Sequence, residues 1–193
     1  DEMQIEHSMA KGYLLQSYSG FFIGLHDRAF EYVNMALPIF IKYDDKKNLA
    51  ASYNTLGFIY NYFDDHSNRL YVNLQSLKIR KEIGDEDGFM RSLNNTGDAY
   101  LSLGKNAEAL THFKKCLAIA KTSDQRMLSV VHSNIADSYY RMEQYTKAIK
   151  AIGFSNKFAN ETNFESILSC NILKIEKIYN KRNEFKKSIE LIT

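Results

Sequence analysis

The residues able to do chemistry are few and scattered. Five histidines, His7, His26, His66, His112 and His132, form neither an HExxH nor an HxxxH pair, so no metal site is expected. Cys116 and Cys170 lack CxxC spacing and a paired histidine, which points to free thiols in a reducing, cytoplasmic setting. The turn Gly84-Asp85-Glu86-Asp87-Gly88 is rich in carboxylates. A calcium loop of the EF-hand type needs about twelve residues and a terminal Glu, and here a helical pattern resumes at once. These acids read as helix caps. There is no GxGxxG, P-loop or GxSxG motif, and the serines have no base at a usable spacing. Neither a cofactor nor catalysis intrinsic to the chain is expected.

The bulk numbers exclude more. Of 193 residues, 45% are hydrophobic and 25% charged, the balance of an ordinary folded chain. A net charge of +2 is too small to argue for nucleic acid. No apolar run approaches the roughly 18–20 residues needed to cross a bilayer, so membrane insertion is not expected. The acidic start, Asp1-Glu2-Met3, lacks the basic and apolar regions of a signal peptide. The first residue is not Met, so a piece of a longer protein is expected. With only 1 proline and 9 glycines, helices and short turns are favoured.

The elements that hold these residues repeat. Aligned on one small residue, Ser52-Tyr53-Asn54-Thr55-Leu56-Gly57-Phe58-Ile59-Tyr60 matches Ser92-Leu93-Asn94-Asn95-Thr96-Gly97-Asp98-Ala99-Tyr100 and the stretch ending Ala136-Asp137-Ser138-Tyr139. The small residues lie 40 and then 39 apart. Ser17 stands 40 before Gly57, and Tyr179 stands 40 after Tyr139. Asp44-Asp45, Gly84-Asp85 and Ser123-Asp124 recur between repeats and suit helix ends. Apolar stripes of helical spacing, such as Leu93, Thr96, Gly97, Tyr100 and Leu103, predict two amphipathic helices per repeat. The expected helices lie near 3–25, 27–42, 48–63, 66–83, 87–103, 106–122, 124–142, 145–160, 163–182 and 184–193. Pro38 falls inside one and should remove a backbone hydrogen bond and kink it. The last expected helix exposes Ile189, Leu191 and Ile192 with no polar cap, so continuation or a partner is expected there.

This pattern resembles the tetratricopeptide repeat (TPR) family. Its signature places Gly or Ala first, Tyr three residues later, Ala twelve later and a large apolar residue four after that. Gly97, Tyr100, Ala109 and Phe113 meet all four positions, and Ala136, Tyr139, Ala148 and Ile152 match well. Gly57 and Tyr60 fit, but Arg69 and Asn73 do not. The first and last repeats are degenerate. The period near 40 exceeds the usual 34 or so, and is similar to the long-repeat subtype of bacterial signalling proteins.

The resemblance implies an all-α fold, a right-handed α-α superhelix or solenoid of about five helix pairs, as one domain over 1–193 with repeats near 3–45, 46–86, 87–123, 124–162 and 163–193. It further implies that the first helix of each pair lines a concave groove. Carried across residue by residue, the groove takes Leu14, Tyr18, Phe21 and Phe22; then Asn54, Phe58, Asn61 and Tyr62; then Arg91, Asn94, Asp98, Leu101 and Ser102. Ser133, Asp137, Tyr140 and Arg141 follow, and Lys177, Asn180 and Lys181 end it. Asn94 and Asp98 are expected to be solvated, so their removal should leave melting unchanged. The groove runs from aromatic through amide and carboxylate to basic, which suits an extended peptide with apolar anchors. The N-terminal aromatics have a second expected use, packing on an attached output domain or a second copy in a homodimer. Lys174, Lys177 and Lys181 share one helix face, either solvated or facing an acidic partner. The implied function is a non-enzymatic protein- or peptide-binding module. It would be the sensory or regulatory domain of a bacterial histidine kinase, diguanylate cyclase or transcription regulator. The alternative is a stand-alone, Rap-like receptor for a small secreted signalling peptide.

Overall fold

Every described link between helices turns on one left-handed residue. The computed structural model describes residues 2–120 and 124–182. Among them are nine helices and no strand: α1 (Glu2–Phe22), α2 (His26–Lys42), α3 (Lys46–Tyr62), α4 (His66–Glu82), α5 (Glu86–Ser102), α6 (Asn106–Ile119), α7 (Gln125–Arg141), α8 (Tyr145–Glu161) and α9 (Glu165–Lys181). Seven of these helices are 17 residues long. Positive φ occurs at Gly24, Asp44, Asp64, Gly84, Gly104, Glu143 and Asn163, the middle residues of three-residue links. The helix of 17 and the link of three make a half-repeat of 20, which is why the period is 40. The expected helix near 184–193, with Ile189, Leu191 and Ile192, lies outside the described residues, as does Ser123.

The links are built by backbone geometry. At six of these seven positions the amide of the following residue returns to a carbonyl five residues back. Asp45 N–H meets Phe40 O at 2.9 Å and Asp85 N–H meets Arg80 O at 3.0 Å. This is the Schellman arrangement, which satisfies carbonyls left unpaired at a helix end. The same residue then starts the next helix. Asp45, Asp65 and Asp85 accept the amides of Asn48, Asn68 and Gly88 at 3.0, 3.0 and 2.9 Å. One aspartate thereby closes one helix and caps the next. The helix α2 continues through Pro38 to Lys42.

Asp45 also receives His7 Nε2 at 2.7 Å, tying α1 to the start of α3. Burial pushes its carboxyl pKa up, but the Asn48 side chain and amide, with His7, outweigh this and hold it below the usual range. A lowered folded pKa gives stability that is complete above the unfolded pKa and disappears as pH falls through the folded one. Asp45→Ala is therefore expected to cost about 1–2 kcal/mol near neutral pH. In urea melts, the gap between variant and wild type should close as the solution is acidified below the carboxylate range.

Two compact units divide the chain, Asp1–Leu103 and Gly104–Thr193. In the first, α1 through α5 pack each on the next, and α1 also meets α3. Its core joins Ala29, Val33, Leu56, Ile59 and Val72, with a second cluster at Ala10, Ala36 and Phe40. In the second, α6 through α9 pack likewise and α7 meets α9. Phe113, Val131, Ala148, Ile152 and Ile178 are buried there. One position of each second helix is always small and buried: Ala36, Ser76, Cys116 and Ser155. Where it is serine, the hydroxyl donates to a first-helix carbonyl, Ser76 to Ala50 at 2.9 Å and Ser155 to Ser129 at 2.7 Å. Cys116 fills the same slot, and burial pushes its thiol up to about 12, so it packs and does not react.

Candidate functional site

In the first unit, the first helices of the pairs carry a cluster of aromatic rings. Tyr18 and Phe22 are one turn apart on α1, and their centroids lie 4.9 Å apart. Phe58 of α3 approaches Phe22 at 6.4 Å and stacks on Phe21 at 6.1 Å. Tyr62 stacks on His26 at 3.5 Å. These rings are not fully used by the core: Tyr18, Phe22 and Tyr62 are 47%, 62% and 55% exposed. Beside Tyr18 a cleft of about 280 Å³ is lined by Lys11, Leu14, Asn54 and Arg80. Asn54 Oδ1 accepts from Asn95 Nδ2 at 2.6 Å, which fixes its amide. Burial lowers the Arg80 pKa; Asp85 at 2.8 Å opposes this, and the like charge of Arg91 adds to it. Asn61 and Arg91 are exposed, and Asn94 is half-buried.

Five expected groove residues, Asp98, Ser102, Leu101, Ser133 and Asp137, have other contacts. Asp98 forms an ion pair with Arg69, whose side chain is only 8% exposed. Arg69 also donates to Ser102 Oγ at 2.8 Å. Asp98, whose own side chain is 44% exposed, is therefore the counter-charge of a buried guanidinium. Leu101 is buried, because it lies four residues after Gly97 and so falls on the packed stripe. Ser133 is buried for the same reason, four residues after buried Ser129. It donates to Asn171 Oδ1 at 2.7 Å and accepts from Lys174 Nζ at 2.7 Å. Asp137, 39 residues after Asp98, pairs with Lys174 at 2.7 Å. Lys174 is thus turned inward, while Lys177 and Lys181 on the same helix are exposed.

What remains open in the second unit is a cleft of about 310 Å³ between α7 and α9, lined by Asp137, Tyr140, Arg141, Cys170, Leu173 and Lys177. Among the described residues no group of three or more His, Cys, Asp or Glu could hold a metal ion. No described helix is long and apolar enough to cross a membrane.

Residues 89–123 match the family model described as tetratricopeptide repeat. The chain superposes with TM-score 0.82 on a signal transduction ATPase with numerous domains that has a tetratricopeptide repeat sensor, from Pyrococcus horikoshii. Its fold is that of the tetratricopeptide repeats. That match has 18% identity and covers 96% of this chain but 29% of the other. A Rap protein complexed with competence and sporulation factor matches with TM-score 0.79 and 16% identity, over 93% of this chain and 50% of that one. Aspartyl phosphate phosphatase F from Bacillus subtilis matches with TM-score 0.77 and 12% identity, over 97% and 58%. The chain therefore spans between about a third and three fifths of these structures. No curated protein matches the sequence significantly.

The tetratricopeptide pattern also locates what residue-by-residue transfer misses. Arg69 and Asn73 stand where the repeat has a small and a large apolar residue, and both are buried. Asn73 Nδ2 donates to the Asn95 carbonyl at 3.1 Å. Those two departures from the pattern are the signal that α4 meets α5 through polar groups. Lys11 and Arg80 carry no such signal, because they line the cleft from positions outside the groove stripe.

Proposed function

We propose that this chain is a non-enzymatic receptor module that holds a peptide or extended protein segment against the first helices of its repeats, as the sensory or regulatory part of a larger cytoplasmic signalling protein. The observation that carries the reading is the exposed ring cluster of Tyr18, Phe22 and Tyr62 beside a cleft edged by Asn54, Lys11 and Arg80. The rings offer apolar anchor sites and Lys11 offers a partner for a carboxylate, Arg80 being already paired with Asp85. Asn61, Phe58, Asn94 and Arg91 extend the same face, and Tyr140, Arg141, Lys177 and Lys181 offer a second, more basic set in the other unit. That one structural neighbour is a signal transduction ATPase with a tetratricopeptide repeat sensor supports a sensory role. The Rap complex with competence and sporulation factor supports the second reading, a stand-alone receptor for a small secreted peptide.

The test is selection of displayed random peptides on the immobilised chain, followed by titration of the selected sequences. Tyr18→Ala with Phe22→Ala, both on exposed side chains, is expected to weaken them at least ~10-fold, or about 1.4 kcal/mol. Selected peptides that bind this variant as tightly as wild type would sink the reading. Retention of affinity in a peptide cut to about five or six residues would favour the receptor for a short peptide over the domain that grips a longer segment.

A further inference from the structure

The second unit has another cleft, on the opposite face of α7 from Asp137, Tyr140 and Arg141. Its volume is about 410 Å³, and α6, α7 and α8 line it. Residues 132, 135 and 139 of α7 reach it, roughly 150° around the helix from the inner set at 100° per residue. Three lysines edge it, Lys114 from α6 with Lys147 and Lys150 from α8, and among the described residues no carboxylate lines it. Leu117, Ile135 and Ala151 make an apolar floor. Phe154, 45% exposed, forms a wall by stacking on His132 at 5.2 Å. Lys147 Nζ lies 5.6 Å from the Tyr139 ring and donates to Gln144 at 2.8 Å, so none of its contacts is to an acid.

The repeat itself does not require these lysines. The register positions in the first unit hold Asn34, Asn68 and Tyr71 in place of Lys114, Lys147 and Lys150. The floor positions there hold Leu37, Leu56 and Val72, apolar as in the second unit. Packing therefore explains the floor, while the triple positive charge is particular to this cleft. A bare anion would use the lysines and leave the floor wet. A purely apolar group would shield the lysines from water without giving them partners. Both parts are used by a segment that inserts an apolar side chain and flanks it with carboxylates.

We propose that this cleft docks an acidic protein segment through one inserted apolar side chain, independently of the inner-face peptide site. The probe is a fluorescein-labelled twelve-residue peptide with Phe-Leu at its centre and Asp and Glu on both sides, titrated by fluorescence anisotropy against the full chain. Saturable binding in the range of ~10–100 μM is expected, as for a small transient contact. Lys147→Glu with Lys150→Glu, and separately Lys114→Glu, should weaken it at least ~10-fold, with the helical circular dichroism retained. Replacing Phe-Leu by Ser-Ser in the peptide should cost a similar ~10-fold. Loss of the binding in Tyr18→Ala with Phe22→Ala would place the peptide on the inner face and overturn the proposal. The proposal is overturned if the lysine variants bind as wild type does or the Ser-Ser peptide binds equally well. It is equally overturned if a DNA oligonucleotide of the same charge binds more tightly, or if no saturation appears up to ~1 mM.

Discussion

Asp98→Ala is expected to lower the stability of the chain by about 2–4 kcal/mol, read as a shift in the urea midpoint without a change in helical content before the transition. The pair it breaks is asymmetric. The Arg69 side chain is 8% exposed and Asp98 44% exposed, so removing the acid strands a charge that water reaches poorly. The upper part of the range for a fully buried pair is discounted, because the open side of Asp98 lets water approach the guanidinium once the carboxylate is gone. Ser102 Oγ remains as one acceptor. Arg69→Ala should cost less than Asp98→Ala, since it removes the charge and restores the small residue expected of the repeat, at the expense of a cavity. The double variant should then lie close to Arg69→Ala, so the coupling energy in the cycle should approach the whole Asp98→Ala cost, about 2–4 kcal/mol. Additive effects of the two substitutions would show that Asp98 does not serve Arg69. A loss of stability in Asp98→Ala would run against the expectation that Asn94 and Asp98 can be removed together without a change in melting.

The helices were legible because two periodicities agree. The apolar stripes mark which face is buried, and the turn residues recur every 20 positions, so the boundaries fall within a few residues of those read from the stripes. The small-residue positions were legible for the same reason: Gly57, Gly97, Ala136, Ala109 and Ala148 have few alternatives where two helices cross closely. The candidate site was harder to read, since a stripe opposite the packed one need not face solvent. Asp98 and Asp137 occupy that stripe, yet each is drawn to a cation supplied by another helix, Arg69 from α4 and Lys174 from α9. Such pairings are three-dimensional. Nothing in the spacing of residues 69 and 98, or 137 and 174, distinguishes them from unpaired charges. Leu101 shows the other source of error: the packed face is wide enough to take in the edge of the groove stripe, and burying a leucine there gains about 1.5–3 kcal/mol.

Gly57→Ala is expected to destabilise by about 1–2 kcal/mol, although alanine is the better helix former by up to ~1 kcal/mol. A Cβ at this position in α3 would overlap Asn73 Oδ1 and stand 3.3 Å from Asn73 Cγ. Asn73 is 3% exposed and donates its amide to the Asn95 carbonyl at 3.1 Å. Its side chain can retreat only by breaking that bond in a place water does not enter freely, which costs about 1–3 kcal/mol. The glycine and the asparagine are therefore one feature: the missing side chain on α3 makes room for the polar one on α4, which in turn ties α4 to α5. Two consequences separate this from a general intolerance of the helix crossing. Gly57→Ala combined with Asn73→Ala should recover most of the loss, because the new methyl occupies space the amide has vacated. Gly12→Ala on α1, where an added Cβ meets nothing within 4 Å, should instead stabilise by roughly 0.5–1 kcal/mol, the helix-propensity gain alone. Thermal melts of the three variants beside wild type decide the matter. If Gly57→Ala is neutral, or Asn73→Ala fails to rescue it, then the glycine is not there for Asn73.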